Sequence, residues 1–489
     1  MLKSSLLEIL RTFSKEELMK FEDFILSPYF NKIKNVNKLF LHINKYAPEF
    51  SNENLGKEKV WRNLFPGKDY NYGIMKNLIH ELNKLSIKFI EMENYNQLKY
   101  ESNVNVIQQF KSRGLLNLFD KKIRESKDQL ENSVSDSDSF YYNYILELFE
   151  IHVLSLRHDI KEVRNYDFNL YNMNLIRYFY TMFFDTNSIF CQISFLYNKP
   201  LDREKIDPVV RSYELSPYRN FIVDSQYYAF KIVYDPFCDE NYYKLKELFY
   251  DHFDKYSARD KYMFAIALLN FCKNNSYTGN SFYIKERYQY NKLIADKELF
   301  FFDNIVFIDR YLFMSIVIAG CTAGEFEWCG KFIKKYEKNL EEKNREQTMN
   351  FAYTHLNFKS KNYEKALSYL SNCSNAAGMD KINIKVYEFF LYYELGYHEE
   401  LINLADTSRH FVKHDKTISG EGKRLFSNFV NIIRRLSEYR YGLKNNSKHK
   451  YEIEDIKNFI SKNQISNKYW LNQKISELEE SNENQKIDI

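Results

Sequence analysis

Glycine and proline are scarce in this chain, and this scarcity restricts the fold more than any other feature of the sequence. The 489 residues include 13 glycines and 7 prolines, which is about 4% of the chain against a usual share of about 12%. Sandwiches, barrels and glycine-rich phosphate loops need many more such residues. With 44% hydrophobic and 28% charged residues, the chain has the composition of a folded protein. The sequence therefore predicts an all-α protein with short connections.

The first 100 residues are predicted to form an N-terminal helical bundle. Ser14 and Glu17 have the spacing of a capping box, which predicts that a helix begins at Lys15. Pro28 predicts the end of this helix, because the residue before a proline disfavours helical dihedrals. A long helix at the end of the module has an apolar stripe at three- and four-residue spacing, formed by Ile74, Leu78, Leu82, Leu85 and Phe89.

The rest of the chain is predicted to be one long array of helix pairs. Residues 101–139 form a connecting helix and a polar linker that ends in the sequence NSVSDSDS. Residues 140–478 have the rhythm of successive helix pairs and predict an α-solenoid, with the clearest repeats at residues 310–415. Residues 479–489 form a polar tail.

The sharpest sequence signal is a repeated aromatic position in the C-terminal third. Phe326, Tyr363 and Tyr397 are separated by 37 and 34 residues, and each opens a similar segment (FEWCGKFI, YEKALSYL and YHEELINL). The second spacing is the tetratricopeptide period. Such an aromatic residue is expected to begin the second helix of a pair and to wedge it against the first.

A small residue is expected three positions after each aromatic residue, where it lets the two helices approach closely. Cys329 and Ala366 suit this position. Glu400 does not, although Leu401 beside it allows an adjusted register. An aliphatic residue seven positions after the aromatic residue is expected to seal each pair.

The pattern over residues 310–415 resembles tetratricopeptide repeats. The wider layout, with SPYFN at 27–31, VWRNLFPGK at 60–68 and GEFEWCGKF at 324–332, is also similar to a family of uncharacterised bacterial helical-repeat proteins. The resemblance implies a curved array of helix pairs with a concave groove, and it implies no activity.

This architecture predicts a non-enzymatic scaffold that binds a protein or peptide segment in the groove. Counting back from each aromatic position places six side chains toward the groove: Met314, Thr348, His355, Lys359, Lys385 and Tyr392. Self-association is a further possibility, because the ends of a solenoid leave apolar faces that a second copy can cover.

Motifs for catalysis or cofactor binding are absent from the sequence. There is no GxxxxGK[ST], GxGxxG, GxSxG or HExxH. His410 and His414 have a spacing that can bind a metal on one helix face, but a third ligand with suitable spacing is missing, so a solvated helix end is favoured. We therefore expect no enzymatic activity, no cofactor and no metal.

An alternative function is DNA binding by the N-terminal module. The net charge is +4, from 70 basic and 66 acidic residues, and all of it lies in residues 1–100. This module has a short helix, a Pro-Gly turn and a long helix, with nearby basic residues Lys57, Lys59, Arg62, Lys68, Lys76, Lys84 and Lys88. A helix-turn-helix head on a repeat sensor domain would make the protein a DNA-binding regulator. The scaffold interpretation is favoured, because the apolar stripe of the long helix is needed for packing.

The spacing of the cysteines and the length of the apolar stretches indicate in which cellular compartment the protein is expected. The six cysteines include no CxxC pair and lie mostly in apolar runs, which is typical of buried free thiols in a reducing cytoplasm. The N-terminus lacks a secretory signal pattern. The most apolar stretch, residues 311–324, is about 14 residues long and shorter than the ~18–20 needed to cross a bilayer. We expect a cytoplasmic protein with no membrane partner.

Overall fold

The structure is a computed structural model that describes residues 4–132, 137–157, 168–197, 199–236, 238–276, 280–302, 305–373, 378–415, 418, 420–444 and 452–487. Within these ranges all regular secondary structure is helical and no β-strand occurs, which confirms the predicted all-α class. The chain forms two compact units, one of Met1–Ser133 with Asp138–Tyr178 and one of Val134–Ser137 with Phe179–Ile489. The first unit thus runs past residue 100. The predicted boundaries at 100, 139 and 478 stay predictions, and residues 133–136 of the predicted linker lie outside the described ranges.

In its described residues the first unit contains eight α-helices and the beginning of a ninth. They are α1 (Ser5–Leu10), α2 (Lys15–Leu26), α3 (Lys34–Asn44), α4 (Lys57–Leu64), α5 (Tyr72–Gln97), α6 (Lys99–Ser112), α7 (Leu116–Glu131), α8 (Ser137–Arg157) and α9 (Phe168–Tyr197). Helix α5 packs against α1, α2 and α3, and α6 packs against α7. The division between the units falls within α9.

The capping box at the start of α2 is present as predicted. The Ser14 hydroxyl accepts a hydrogen bond from the Glu17 amide at 3.1 Å, and the Glu17 carboxylate accepts one from the Ser14 amide at 2.7 Å. The apolar stripe of α5 is confirmed at Leu78, Leu82 and Phe89, which are buried. It is wrong at Ile74, which is 47% exposed, because the fully buried Met75 continues the face at three-residue spacing from Leu78.

The second unit continues with fourteen further helices in the described ranges. They are α10 (Arg203–Glu214), α11 (Phe221–Tyr234), α12 (Asp239–Asp251), α13 (Ala258–Ser276), α14 (Ser281–Asp296), α15 (Arg310–Thr322), α16 (Phe326–Tyr336), α17 (Glu342–Lys359), α18 (Tyr363–Leu370), α19 (Gly378–Leu395), α20 (His398–His414), α21 (Gly420–Lys444), α22 (Ile453–Lys462) and α23 (Lys468–Ile487). From α11 to α22 each helix packs against the next one in the chain. Helices two places apart also pack, as in α11 with α13, α15 with α17 and α19 with α21.

Three consecutive helical hairpins share one turn geometry. Gly324, Lys361 and Gly396 follow the first helices of the pairs α15–α16, α17–α18 and α19–α20, and each has a left-handed φ of 83°, 63° and 77° respectively. In each turn the backbone amide of the residue after the left-handed one donates a hydrogen bond to the backbone carbonyl five residues before it, at 2.9, 2.8 and 2.9 Å. This pattern satisfies carbonyls that the helix end leaves open. The second helix begins at or one residue after the predicted aromatic position.

The small positions of these hairpins are buried as predicted. Cys329 and Ala366 are fully buried. In the third hairpin Leu401 is buried instead of the exposed Glu400, which confirms the adjusted register. Helices α15 and α16 approach closely, since an added Cβ at Gly320 would lie 2.5 Å from the Cys329 sulfur.

Candidate functional site

A solvent-open cleft of about 350 Å³ lies in the second unit. Five helices supply its lining. The lining residues are Lys273 of α13, Arg287 of α14, Arg310, Tyr311, Met314, Ser315 and Ile318 of α15, Gln347, Thr348 and Phe351 of α17, and Asn383 and Ile384 of α19. The volume is at the lower end of the range of about 300–1,000 Å³ that is usual for ligand sites.

Three cations from three different helices converge on this cleft. They are Lys273, Arg287 and Arg310, and none of the described lining residues is Asp or Glu. Arg310 is the first residue of α15, and its guanidinium lies 4.6 Å from the centre of the Tyr311 ring. The preceding Asp309 accepts hydrogen bonds from the Tyr311 and Leu312 amides at 2.9 and 3.1 Å, so this carboxylate caps the helix.

The pKa values of three groups at or near the cleft are lowered, and in each case desolvation is the largest cause. The pKa of Lys273 is lowered by the surrounding protein and by the charge of Arg287. Burial, Lys359 and Arg287 together lower the pKa of His355 to about 3. Desolvation by neighbouring side chains also lowers the pKa of Lys359, although the residue itself is exposed.

The remaining lining is a mixture of apolar and amide side chains. Met314, Ile318, Phe351 and Ile384 supply apolar surface. Gln347 and Asn383 carry amides, each with donors and an acceptor that suit a peptide backbone. None of the described lining residues is a His, Cys, Asp or Glu. The cleft is therefore equipped to hold a ligand that has both charged and apolar parts.

A second cavity of about 410 Å³ shares Arg310 with the cleft. Phe307, Ile308, Leu340 and Asn344 contribute to its lining. Large apolar side chains are exposed along the connection that precedes α15: Ile305 (41%), Val306 (59%) and Phe307 (53%). Such a cluster is unusual on a surface without a partner, and it extends the potential contact area beyond the cleft.

The six sequence-predicted groove residues lie in different environments. Met314 and Thr348 line the cleft. His355 is 4% exposed, and its Nδ1 hydrogen-bonds the Tyr387 hydroxyl inside the protein. Lys359, the last residue of α17, is exposed.

The other two predicted groove residues, Lys385 and Tyr392, are outside the cleft lining. The Lys385 ammonium lies 4.0 Å from a Glu388 carboxylate oxygen and 5.8 Å from the Phe411 ring centre. Tyr392 lines a different, small cavity beside His398. As ligand contacts all six remain predictions.

The cations of the cleft were missed by sequence reasoning. Lys273 and Arg287 precede residue 310, where no clean repeat period is visible, so no register could be counted for them. Two other lining residues, Asn383 and Gln347, could have been found from the sequence, because they lie close to residues that were predicted for the groove. Gln347 directly precedes the predicted Thr348, and Asn383 lies on the same helix as Lys385.

Metal-ligating groups are not clustered in the described ranges. No group of three or more His, Cys, Asp and Glu residues there could hold a metal ion. The rings of His410 and His414 on α20 are tilted relative to each other, with their centres 4.4 Å apart. Over the same ranges, none of the helices has the combination of length and apolar character needed to span a membrane.

Several basic residues of the N-terminal module face carboxylates. Lys84 lies 3.0 Å from Glu81 and Lys88 lies 2.8 Å from Glu91, both on α5. These pairs balance charge along the helix that would read DNA. DNA binding stays a prediction, tested by retardation of duplex DNA by the full chain at about 50 mM salt.

Comparison of the chain with protein-family models, with curated proteins and with solved structures gives no match.

Proposed function

We propose that this protein is a non-enzymatic interaction scaffold, and that its second unit is a tetratricopeptide-like α-solenoid holding a peptide or protein segment in the cleft. The proposal rests on which helices supply the lining residues of the cleft. Every lining residue except Arg287 comes from the alternate helices α13, α15, α17 and α19. In a solenoid of helix pairs, one helix of each pair forms an inner layer, and that layer is the usual binding surface.

The repeat geometry supports the solenoid part of the proposal. The left-handed turn residues Gly324, Lys361 and Gly396 recur at intervals of 37 and 35 residues. Packing between helices two places apart, α15 with α17 and α19 with α21, is the contact that stacks one hairpin on the next. An array built in this way presents a continuous surface without any need for catalytic groups.

The composition of the cleft supports binding in preference to chemistry. Its described lining combines cations, amides, hydroxyls and apolar side chains and includes no thiol, imidazole or carboxylate. We place the protein in the cytoplasm, because all six cysteines are free thiols and five of them are buried.

Filling the cleft tests the proposal. Random heptapeptides displayed on phage are selected on the immobilised full chain, and selected peptides are then measured on Ser315→Phe, which places a ring in the cleft. Ser371→Phe is the matched control, because Ser371 is exposed at the end of α18 and does not line the cleft. We expect peptides that bind the wild type and the control but not Ser315→Phe. Failure to select any peptide, or equal binding to both variants, would contradict the proposed function.

A further inference from the structure

We propose that helix α9 is a self-association surface, through which two copies of the chain pair as antiparallel helices related by a two-fold axis. The contact is a stripe of large exposed apolar side chains on α9, all in the second unit, called here the α9 stripe: Phe179, Met182, Ile189, Phe190 and Ile193. None of the described lining residues of the cleft belongs to α9, so this surface is distinct from the proposed peptide site.

Helix α9 is apolar on two opposite faces over residues 179–193. One face packs inside the second unit, where Tyr180, Phe184 and Cys191 are buried. The Phe184 ring centre lies 5.1 Å from that of Tyr213 on α10 and 5.5 Å from that of Phe230 on α11. At about 100° per residue, the middle of the α9 stripe lies roughly 180° around the helix axis from Phe184. A helix that is apolar all round is normally buried all round, but the five stripe side chains are 38–53% exposed. The stripe therefore has the character of a surface that a partner covers.

The exposed positions of this helix segment carry no charge. Over residues 179–193, which the structure describes throughout, the exposed residues outside the stripe are Thr186 and Gln192. The one charged residue in this range, Asp185, is half-buried and accepts a hydrogen bond from the Gln226 amide at 3.2 Å. Charged residues make up 28% of the whole chain, and the solvent side of a surface helix is where they normally lie.

The missing charge favours a second copy over a charged partner. Charged residues are depleted in the same way at the core of protein interfaces. Two identical uncharged faces meet without like-charge repulsion. An anionic membrane surface or a nucleic acid would instead be matched by lysine or arginine beside the apolar residues, and the exposed positions of 179–193 include neither.

The spacing of the apolar positions is symmetric. It is 3, 4, 4 and 3 residues along the series Phe179, Met182, Thr186, Phe190 and Ile193. Because this order is the same from either end, a two-fold axis through Thr186 places Phe179 of one copy beside Ile193 of the other. The same axis places Met182 beside Phe190. Apolar side chains therefore meet at each step, and the smaller Thr186 lets the two helices approach at the centre.

The exposed apolar area is sufficient for a dimer of modest affinity. A large side chain presents about 150–250 Å² when it is fully open, so the five half-exposed side chains present about 450 Å² in each copy. Pairing removes about 900 Å² of apolar surface, and flanking polar atoms bring the total to roughly the 1,000 Å² at which specific interfaces begin.

Sedimentation of the full chain at micromolar concentration tests the surface. The stripe variant is Phe179→Glu/Phe190→Glu. The control variant, Val306→Glu/Phe307→Glu, adds the same charges to another exposed apolar cluster, whose two side chains are 59% and 53% exposed. We expect the wild type and the control variant to sediment as dimers, and the stripe variant to dimerise at least about 100-fold more weakly, because four central aromatic contacts per dimer are lost.

A second charge variant tests the antiparallel register and shows that the stripe variant folds. Met182→Lys/Ile193→Lys should also fail to dimerise alone. When it is mixed with the stripe variant, each new carboxylate faces a new ammonium across the two-fold axis, and the remaining stripe side chains face apolar ones. We therefore expect the mixture to dimerise at least about tenfold more tightly than either variant alone.

Cross-linking locates the axis. Facing Cα atoms of two helices at an interaxial distance of about 8–10 Å come within about 6 Å of each other, which a disulfide can bridge. We expect Thr186→Cys to form a disulfide-linked dimer under mild oxidation, above the background of the wild type. Gln192→Cys is the matched control, since it is exposed on the same helix but about 100° around the axis from Ile193.

Four outcomes would overturn the inference. One is a wild-type chain that stays monomeric at micromolar concentration, and another is a control variant that dimerises as weakly as the stripe variant. The third is cross-linking of Gln192→Cys as fast as that of Thr186→Cys. The fourth is a monomeric wild type that pellets with vesicles of zwitterionic and anionic lipid while the stripe variant does not, which would assign the α9 stripe to a membrane surface.

Discussion

Substitution of Gly320 by alanine tests the close approach of α15 and α16. An ideal Cβ at Gly320 would lie 2.5 Å from the Cys329 sulfur and 2.9 Å from Cζ3 of Trp328. Both neighbours belong to α16, and Cys329 is fully buried. Because these atoms have little room to retreat, overpacking should lower the free energy of unfolding by about 1–3 kcal/mol. The better helix propensity of alanine offsets up to about 1 kcal/mol of this loss.

Gly330 provides the matched control. It also lies inside a helix, but a Cβ there would meet only a methyl carbon of Leu356, at 4.0 Å. Gly330→Ala should therefore raise the free energy of unfolding by up to about 1 kcal/mol. The propensity contribution largely cancels between the two variants, so their difference of about 1–3 kcal/mol measures the steric contact.

Urea unfolding of the full chain measures this difference. The chain has 3 tryptophans, and replacing Trp61 by phenylalanine in all samples leaves Trp328 and Trp470 as reporters of the second unit. The variants are compared where the slope of the unfolding free energy against urea concentration is the same, so a shift in the urea midpoint reports a change in stability. If Gly320→Ala is as stable as Gly330→Ala, the two helices do not approach as described, and the argument for a small-residue contact in this hairpin fails.

Three further predictions concern buried polar groups. The buried His355 has a pKa of about 3, so between about pH 6 and 4 the unfolded chain binds a proton at this histidine that the folded chain does not. The free energy of unfolding should therefore fall by up to about 1.4 kcal/mol for each pH unit below 6.5. In His355→Asn the urea midpoint should depend less steeply on pH over the same range. Tyr213 is fully buried and donates to Asp224 at 2.6 Å, so Tyr213→Phe should cost about 1.5–3 kcal/mol in urea unfolding, while the half-exposed Tyr243→Phe should leave the midpoint unchanged. The Lys474 side chain is 7% exposed, and its ammonium lies 2.7 Å from a carboxylate oxygen of Glu394 on α19. Lys474→Met should therefore lower the free energy of unfolding by about 3–5 kcal/mol. Lys457→Met, which breaks an exposed pair, should cost less than about 1 kcal/mol, and equal losses in these two variants would contradict the burial argument.

Local sequence rules predicted helices well because the information for a helix lies within one or two turns. Ser14 and Glu17 are three residues apart, and their reciprocal hydrogen bonds depend on nothing else in the chain. The third repeat segment marks the limit of such rules. Spacing from Tyr397 indicates position 400, but Leu401 is buried, because burial follows the hydrophobic residue and the helix rotates to accommodate it.

The cleft depends on information that no local pattern carries. Lys273, Arg287 and Arg310 are three among 70 basic residues. The sequence around each of them does not distinguish it from an ordinary solvent-exposed basic residue. They converge because the register of α13 against α14, and of α14 against α15, turns these particular side chains toward one volume. Side-chain packing at helix contacts sets that register, so a one-residue slip in either helix would move a cation by about 100° around its axis and out of the cleft. The charge of the site is therefore a property of helix packing, and substitutions at buried contacts such as Gly320 should weaken the proposed peptide binding without touching a lining residue.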